Sequence, residues 1–218
     1  MRKIKVITDF PSAVNSPDYI KPLGAKQDNH SNENYLKEID GLTGNRPYAY
    51  MDLGCAGGKA VIDIYNKGNI ACGLEGSDLT KMISNSSNGV ADSWIAYMDV
   101  CLFKADITKP FTVVDEDGEL QLFDIITAWD VLEHPKPNDV PNVIDNIIKH
   151  LKLDGVFVAL VNTVRGSHHQ CVRPKDWWLR VFRESGLIDV GFSMDTSPRH
   201  LTDPIQENDF GFMFKFEG

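Results

Sequence analysis

Apolar runs of strand length, alternating with segments of helical periodicity, constrain the fold of this chain most strongly. The runs occupy residues 48–53, 70–75, 97–104, 122–129 and 156–161. Helices are predicted over 140–151, where apolar residues recur three and four positions apart, and over 174–186. The segment "FGFMFKF" near the end of the chain predicts a final strand. This alternation predicts an α/β fold, with a doubly wound, mostly parallel sheet and helices on both of its faces.

Length and composition narrow the class of protein. The 218 residues suit one domain, to which the polar residues 1–46 add an N-terminal extension or cap. No apolar run reaches the roughly 18 residues that a membrane span needs, and the first residues lack the apolar core of a signal peptide. The four scattered cysteines form no C-x-x-C pair, which predicts free thiols and a cytoplasmic location.

The net charge of −9 argues against a nucleic acid as partner, because such binding relies on Lys and Arg. One basic segment, residues 164–183, departs from this balance. Its cationic residues are Arg165, Arg173, Lys175, Arg180 and Arg183. They form either a solvated helix face or an anchor for an acidic group on a small substrate.

The turn after the first buried strand, "MDLGCAGGK", is either a structural turn or a ligand site. A dinucleotide fingerprint that starts at Gly54 requires glycine at 56 and 59, and Ala56 and Lys59 break it. A second pattern, an acid followed by G-x-G-x-G, fits Asp52 and Gly58 and departs only at Ala56. An alanine at position 56 is tolerable in this turn if its φ is negative. An acid before the turn suits a ligand that carries a cation.

Acidic residues also end the next two strands. Glu75, followed by Gly76 and Ser77, can accept both hydroxyls of a ribose, unless it is a solvated strand-end acid. Asp106 and Ile107 can frame an adenine, with the carboxylate on the amine and the aliphatic chain on the ring. The "DIT" sequence at 106–108 is also a common helix or turn start, so this second signal is weaker.

Together, "MDLGCAGG", "GLEGSD", "ADITKPF" and "FDIITAWDVLEHP" resemble class I S-adenosylmethionine-dependent methyltransferases over residues 48–160. The resemblance implies a Rossmann-like, seven-stranded sheet with its last strand antiparallel, and S-adenosylmethionine as cofactor. It places the methionine end at the first turn, the ribose at Glu75 and the adenine at Asp106, while Trp129 and Asp130 face the methionine or the substrate. The cofactor-binding residues predicted in this way are Asp52, Gly54, Cys55, Ala56, Gly58, Glu75, Gly76, Ser77, Asp106, Ile107, Trp129 and Asp130.

The segment "AWDVLEHP" resembles the subgroup that methylates small molecules, sugars or lipids, and it lacks the (D/N)-P-P-(Y/F) segment of DNA amino-methylating enzymes. The predicted acceptor is therefore a small molecule, with a hydroxyl of a sugar or glycan precursor preferred. Two other functions stay open at this point. One is a regulatory module that binds the cofactor without catalysis, and the other is a nicotinamide oxidoreductase.

Three histidines are candidate bases for a hydroxyl acceptor, since histidine titrates near neutral pH. They are His134, His168 and His169. His134 could instead order its loop. No metal site is predicted from the "HHQC" segment, because adjacent histidines rarely converge on one ion and no second ligand pair is evident.

Overall fold

The computed structural model describes residues 2–164, 166, 168–198 and 209–217. Arg165 of the basic segment lies outside the described residues. The strands are β1 (Ile4–Ile7), β2 (Ala49–Leu53), β3 (Ile70–Glu75), β4 (Leu102–Lys104), β5 (Thr112–Asp115), β6 (Phe123–Trp129), β7 (Leu151–Asn162), β8 (Leu187–Asp189) and β9 (Asp209–Phe216). The helices are α1 (Glu33–Leu42), α2 (Lys59–Asn66), α3 (Leu79–Ile83), α4 (Val90–Tyr97), α5 (Val140–His150) and α6 (Lys175–Glu184), with a 3₁₀ turn at Pro137–Asp139.

Seven strands form the central sheet in the order β4-β3-β2-β6-β7-β9-β8. The first five of these pair in parallel, and β9 pairs antiparallel with both β7 and β8. The predicted Rossmann-like sheet with an antiparallel last strand is therefore confirmed. β9 lies inside the sheet rather than at its edge, because the short strand β8 covers its outer side.

Helices cover both faces of this sheet, as the alternation of elements predicts. On one face, α5 and α6 pack through residues such as Ile144 and Phe182. On the other, α1, α2 and α4 pack through Ile39, Val61 and Trp94. All five residues of β2 are buried, because each face of the strand lies under helices.

The apolar run at 97–104 was predicted as one strand, and this prediction was wrong in its first half. Tyr97 ends α4 and packs edge-on against Tyr65, with ring centroids 6.3 Å apart. Asp99 then takes a left-handed φ of 59°, and its N–H donates to the Leu102 carbonyl. Only Leu102–Lys104 joins the sheet, since the chain must first reverse direction after the helix.

The N-terminal residues pack on the domain. β1 pairs antiparallel with β5 outside the central sheet, and α1 buries Tyr35 and Ile39. The four cysteines are buried and unpaired with one another. None of the described helices combines the length and apolar character that a membrane crossing requires.

Candidate active site

A cavity of about 740 Å³ opens at the carboxyl ends of the parallel strands. The loops after β2, β3, β4, β6 and β7 line it, together with part of the N-terminal segment 13–25. Most of the residues predicted for the site meet here. Those that line the cavity are Gly54, Ala56, Glu75, Gly76, Ser77, Asp106, Ile107, Trp129, Asp130, His134, His168 and His169.

The turn between β2 and α2 uses left-handed backbone at three positions. Gly54, Ala56 and Gly58 have φ values of 72°, 49° and 80°. Ala56 therefore does not meet the condition of a negative φ under which the sequence makes an alanine tolerable here. A Cβ on Gly54 would lie 2.4 Å from Val131 Cγ2, and one on Gly58 would lie 2.4 Å from Leu102 Cδ2. Both glycines are thus fixed by backbone conformation and by close packing.

Asp52 is buried and does not line the cavity. The Thr127 hydroxyl donates to the Asp52 carboxylate over 2.7 Å and lies 2.7 Å from the Tyr50 hydroxyl. Tyr50 in turn bonds Tyr35 at 2.8 Å, and Trp129 Nε1 donates to Tyr35 at 3.2 Å. Burial and the nearby Asp52 charge raise the pKa of Tyr50 well above its usual range. This chain of buried groups connects the base of the turn to Trp129 in the cavity wall.

Cys55 and Gly58, both predicted to bind cofactor, do not line the cavity either. The Cys55 sulfur packs toward β3, 2.8 Å from where a Cβ on Gly73 would lie. Burial raises the pKa of the Cys55 thiol well above its usual range, so the group is an unreactive part of the core. Gly58 caps α2 and makes room for Leu102.

The Glu75 carboxylate connects two of the lining loops. Its Oε2 accepts from Ala56 N at 3.1 Å, and its Oε1 accepts from Ser77 N at 2.8 Å. Each carboxylate oxygen can accept a further hydrogen bond, so a vicinal diol in the cavity can still bind both. The residue is buried and lines the cavity, as a ribose-binding acid requires.

Asp106 builds a turn and also lines the cavity. Its Oδ1 accepts from the Thr108 N–H at 2.9 Å and from the Thr108 hydroxyl at 2.6 Å, which builds the turn. It also lines the cavity beside the buried Ile107 side chain. A carboxylate next to an aliphatic wall fits the amine and the ring of an adenine. Together with Glu75 and the glycine turn, these residues fit S-adenosylmethionine.

The opposite end of the cavity contains histidines and acids. Asp18, from the N-terminal segment, hydrogen-bonds His134 Nδ1 and lies 3.3 Å from His168 Nδ1. The His134 and His169 rings meet edge to face with centroids 5.0 Å apart. The three predicted histidines are thus brought together. Asp18 was missed, because nothing in the polar stretch around it indicates a partner 116 residues away.

Glu133 also belongs to this end and was not predicted as a site residue, although it precedes His134 in the "LEHP" segment. Its side chain is fully buried. Burial, with a further contribution from the Asp130 charge, raises the pKa of Glu133 to about 8 against the opposing effect of His134. Its carbonyl accepts from Gln170 N and Cys171 N, both at 2.8 Å, and so holds the loop after β7.

The four described cationic residues of the basic segment do not line the cavity. Arg173, Lys175, Arg180 and Arg183 are exposed, and none of them lines it. Arg173 instead stacks over Trp177, 5.7 Å from the ring centroid. The geometry of these four residues favours the solvated helix face over the substrate anchor.

Comparison with known families decides the class of enzyme. Residues 25–210 match the family model described as "Methyltransferase domain". The chain belongs to this methyltransferase family. It is an S-adenosylmethionine-dependent methyltransferase, as the four motifs predicted.

Solved structures share the fold of this methyltransferase at low sequence identity. A S-adenosylmethionine-dependent methyltransferase from Clostridium acetobutylicum ATCC 824 is 12% identical, with a TM-score of 0.59 over 84% of this chain and 90% of that one. A TehB-like methyltransferase from Corynebacterium glutamicum ATCC 13032 is 19% identical, with a TM-score of 0.59 over 84% and 88%. The glycopeptide N-methyltransferase MtfA with bound S-adenosylmethionine is 11% identical, with a TM-score of 0.56 over 86% and 95%. Comparison with curated proteins found no significant match.

Proposed function

We propose that this methyltransferase transfers a methyl group from S-adenosylmethionine to a hydroxyl of a small acceptor, such as a sugar or glycan precursor. The observation that carries the proposal is the division of one cavity into two chemically different ends. The cofactor end consists of the glycine turn, Glu75 and Asp106. The acceptor end consists of Asp18, Glu133 and the three histidines.

The size of the cavity supports a small acceptor. About 740 Å³ lies within the range of small-molecule sites and must hold the cofactor as well. A folded protein or a duplex does not enter such a space, although a single side chain or base could. The net charge of −9 further disfavours a polyanion. One structural neighbour acts on a glycopeptide, but through nitrogen, so the choice of a hydroxyl rests on the imidazoles at the acceptor end.

S-adenosylmethionine, when bound, supplies an activated methyl group on a positively charged sulfur. In the proposed mechanism, Glu75 holds the ribose hydroxyls, Asp106 and Ile107 frame the adenine, and Asp130 and Trp129 face the methionine. The protein then positions the acceptor oxygen, which is the main requirement of an in-line methyl transfer.

We propose His168 as the base for the acceptor hydroxyl. Its Nδ1 lies 3.3 Å from Asp18 Oδ1, so that the carboxylate orients the ring and stabilises the imidazolium. Its Nε2 would accept the hydroxyl proton. His134 also bonds Asp18. However, His134 and His169 each place a ring nitrogen near the Glu133 carboxylate, and His168 is not part of that cluster, so we prefer His168 as the base.

Methyl transfer with isotope-labelled cofactor tests the proposal. A panel of small polyols and glycosides, each paired with the matching amino compound, should receive label on oxygen. His168→Gln should lower kcat by about 10²–10⁴-fold, the usual contribution of a general base, and leave the affinity for S-adenosylhomocysteine unchanged. His30→Gln, at an exposed histidine outside the cavity, is the matched control.

Three outcomes contradict the proposal in different ways. Label on nitrogen alone would exclude the hydroxyl acceptor. Full turnover in His168→Gln would remove that residue from the role of base. Tight binding of S-adenosylhomocysteine without any methyl transfer would favour the regulatory module that binds cofactor without catalysis.

A further inference from the structure

The acceptor end of the cavity contains a buried carboxylate oxygen that lacks a partner. Glu133 is fully buried and lines the cavity, and its Oε1 accepts from Asn162 N at 3.3 Å. Its Oε2 has no hydrogen-bond partner within the part of the chain that the structure describes. Native proteins leave few such groups, and a ligand or an ion is a common reason for one.

Two imidazoles lie beside the Glu133 carboxylate. One donor atom from each of Glu133, His134 and His169 lies within 4.8 Å of the others. At metal–nitrogen distances near 2.1 Å, the ligand atoms of a tetrahedral site lie roughly 3.4 Å apart, so the three side chains are close enough to share one cation.

The second nitrogen of each imidazole is already occupied in the way that metal ligands require. His169 Nδ1 lies 2.6 Å from the Val164 carbonyl oxygen, which can only accept. Nδ1 must therefore carry the proton, and Nε2 keeps a free electron pair in the neutral ring. His134 Nδ1 bonds the Asp18 carboxylate, which favours the same tautomer. Histidines that bind metals almost always donate their other N–H to a carboxylate or carbonyl in this manner.

We propose that Glu133, His134 and His169 bind one divalent first-row cation, of the Zn²⁺ and Mn²⁺ type, at the acceptor end of the cavity. One carboxylate with two imidazoles is a donor set of catalytic zinc and non-haem iron sites, whereas Mg²⁺ and Ca²⁺ prefer oxygen ligands throughout. Three protein ligands leave a coordination position for the acceptor.

The sequence argued against a metal because it directed attention to the "HHQC" segment. The structure separates the members of that segment. Cys171 is buried, and His168 pairs with Asp18, while His169 joins two residues that follow β6. The cluster therefore draws on two loops that only the parallel pairing of β6 and β7 brings together.

The role of the cation toward the acceptor rests on the proposed function, but its binding does not. With the cation bound, His134 and His169 serve as ligands and no longer accept protons. His168, held by Asp18, then stays available as the base, and the cation holds the acceptor oxygen near it.

Metal binding to the full-length protein tests the proposal directly. After treatment with a chelator and its removal, the protein should bind one Co²⁺ per chain, with visible absorption bands that Zn²⁺ abolishes by displacement. Saturating Zn²⁺ at about 100 times its Kd should raise Tm by about 5–10 °C. The absence of one-to-one binding of Co²⁺, Zn²⁺ and Mn²⁺ alike would overturn the proposal.

Variants locate the site. Glu133→Gln and His169→Gln should each weaken Co²⁺ binding about 100-fold or more, and Asp18→Asn should weaken it about 10–100-fold through His134. His30→Gln, next to Asp28 on the surface, should bind Co²⁺ like the wild type. Retained binding of S-adenosylhomocysteine shows that each variant is folded. Unchanged Co²⁺ affinity in a folded Glu133→Gln or His169→Gln protein would contradict the assignment.

The same experiments separate the two proposals. Cation binding without methyl transfer to a hydroxyl would leave the metal site standing and remove the proposed acceptor. Methyl transfer to a hydroxyl at full rate by protein that binds no cation would leave the proposed acceptor standing and remove the metal site.

Discussion

At the scale of single residues, Ala56 holds a left-handed backbone conformation that its family position normally gives to glycine. Its φ of 49° costs an L-residue about 1–2 kcal/mol. Two buried hydrogen bonds keep it there, since its N–H donates to Glu75 and its carbonyl accepts from Trp94 Nε1 at 2.8 Å. The turn is thus maintained by its surroundings against the preference of the residue.

We predict that Ala56→Gly raises the free energy of unfolding by about 0.5–1 kcal/mol. Glycine removes the left-handed strain, and its greater freedom in the unfolded chain offsets part of that gain. Urea denaturation measures the change. Ala60→Gly in helix α2 is the matched control and should lower stability by about 1 kcal/mol, since no strain is relieved there. Equal destabilisation by both substitutions would show that Ala56 is unstrained.

Single residues also show where sequence reasoning succeeds. Glu75 and Asp106 were predicted to face the ligand because they lie at the tips of successive strands after the glycine turn, and both line the cavity. The φ of Ala56 could not be predicted, because it depends on Glu75 and Trp94, which lie on other elements. The packing of Gly58 against Leu102 could not be predicted for the same reason, since Leu102 is its neighbour only in the fold.

At the scale of elements, His150 joins the end of α5 to strand β5. Its Nε2 accepts from Val113 N at 3.0 Å, its Nδ1 bonds the Asn146 carbonyl at 2.7 Å, and its ring stacks on Phe111. Burial, aided by the positive charge of Lys149, lowers the pKa of His150 to about 4. Both hydrogen bonds form only when the imidazole is neutral, because a protonated Nε2 cannot accept from Val113 N.

This pairing predicts a loss of stability in acid. The unfolded chain binds a proton at His150 near pH 6.5 and the folded chain near pH 4, so stability falls as the pH drops through this window. The full loss corresponds to about 3 kcal/mol. His150→Gln, which keeps a donor and an acceptor, should flatten the pH dependence of unfolding between pH 7 and pH 4 relative to the wild type.

The matched control for this prediction is His30→Gln, because His30 is exposed. The free energy of unfolding of His30→Gln should depend on pH between pH 7 and pH 4 as it does in the wild type. An identical slope in His150→Gln would mean that His150 is protonated equally in the folded and unfolded chains.

The predicted element boundaries agree with the observed ones where a single periodicity dominates the sequence. The strand at Ile70–Glu75 matches its apolar run, and helix α5 matches the stripe at 140–151 to within one residue. The prediction failed at 97–104, where an apolar run contained the end of a helix, a reversal and a short strand. Composition alone does not separate these, because all three bury apolar side chains.

At the scale of the whole molecule, the N-terminal segment closes one side of the cavity. Ala13 N donates to the Gly76 carbonyl at 2.8 Å, and Asp78 N donates to the Tyr19 carbonyl at 3.0 Å. Asp18 connects the same segment to His134 and His168. That residues 1–46 act as a cap on the cofactor stays a prediction, which these contacts support. The sequence could not reveal them, since they join positions far apart in the chain.

Calorimetric binding of S-adenosylhomocysteine tests most directly whether the cavity is a cofactor site organised around Glu75. We expect one-to-one binding to the wild type, none of NAD, and a loss of about 1–3 kcal/mol in Glu75→Gln. Glu38→Gln is the matched control, because its carboxylate also accepts backbone N–H groups, at residues 195 and 196, but lies outside the cavity. Absence of binding, or equal affinity in the wild type and Glu75→Gln, would contradict this account.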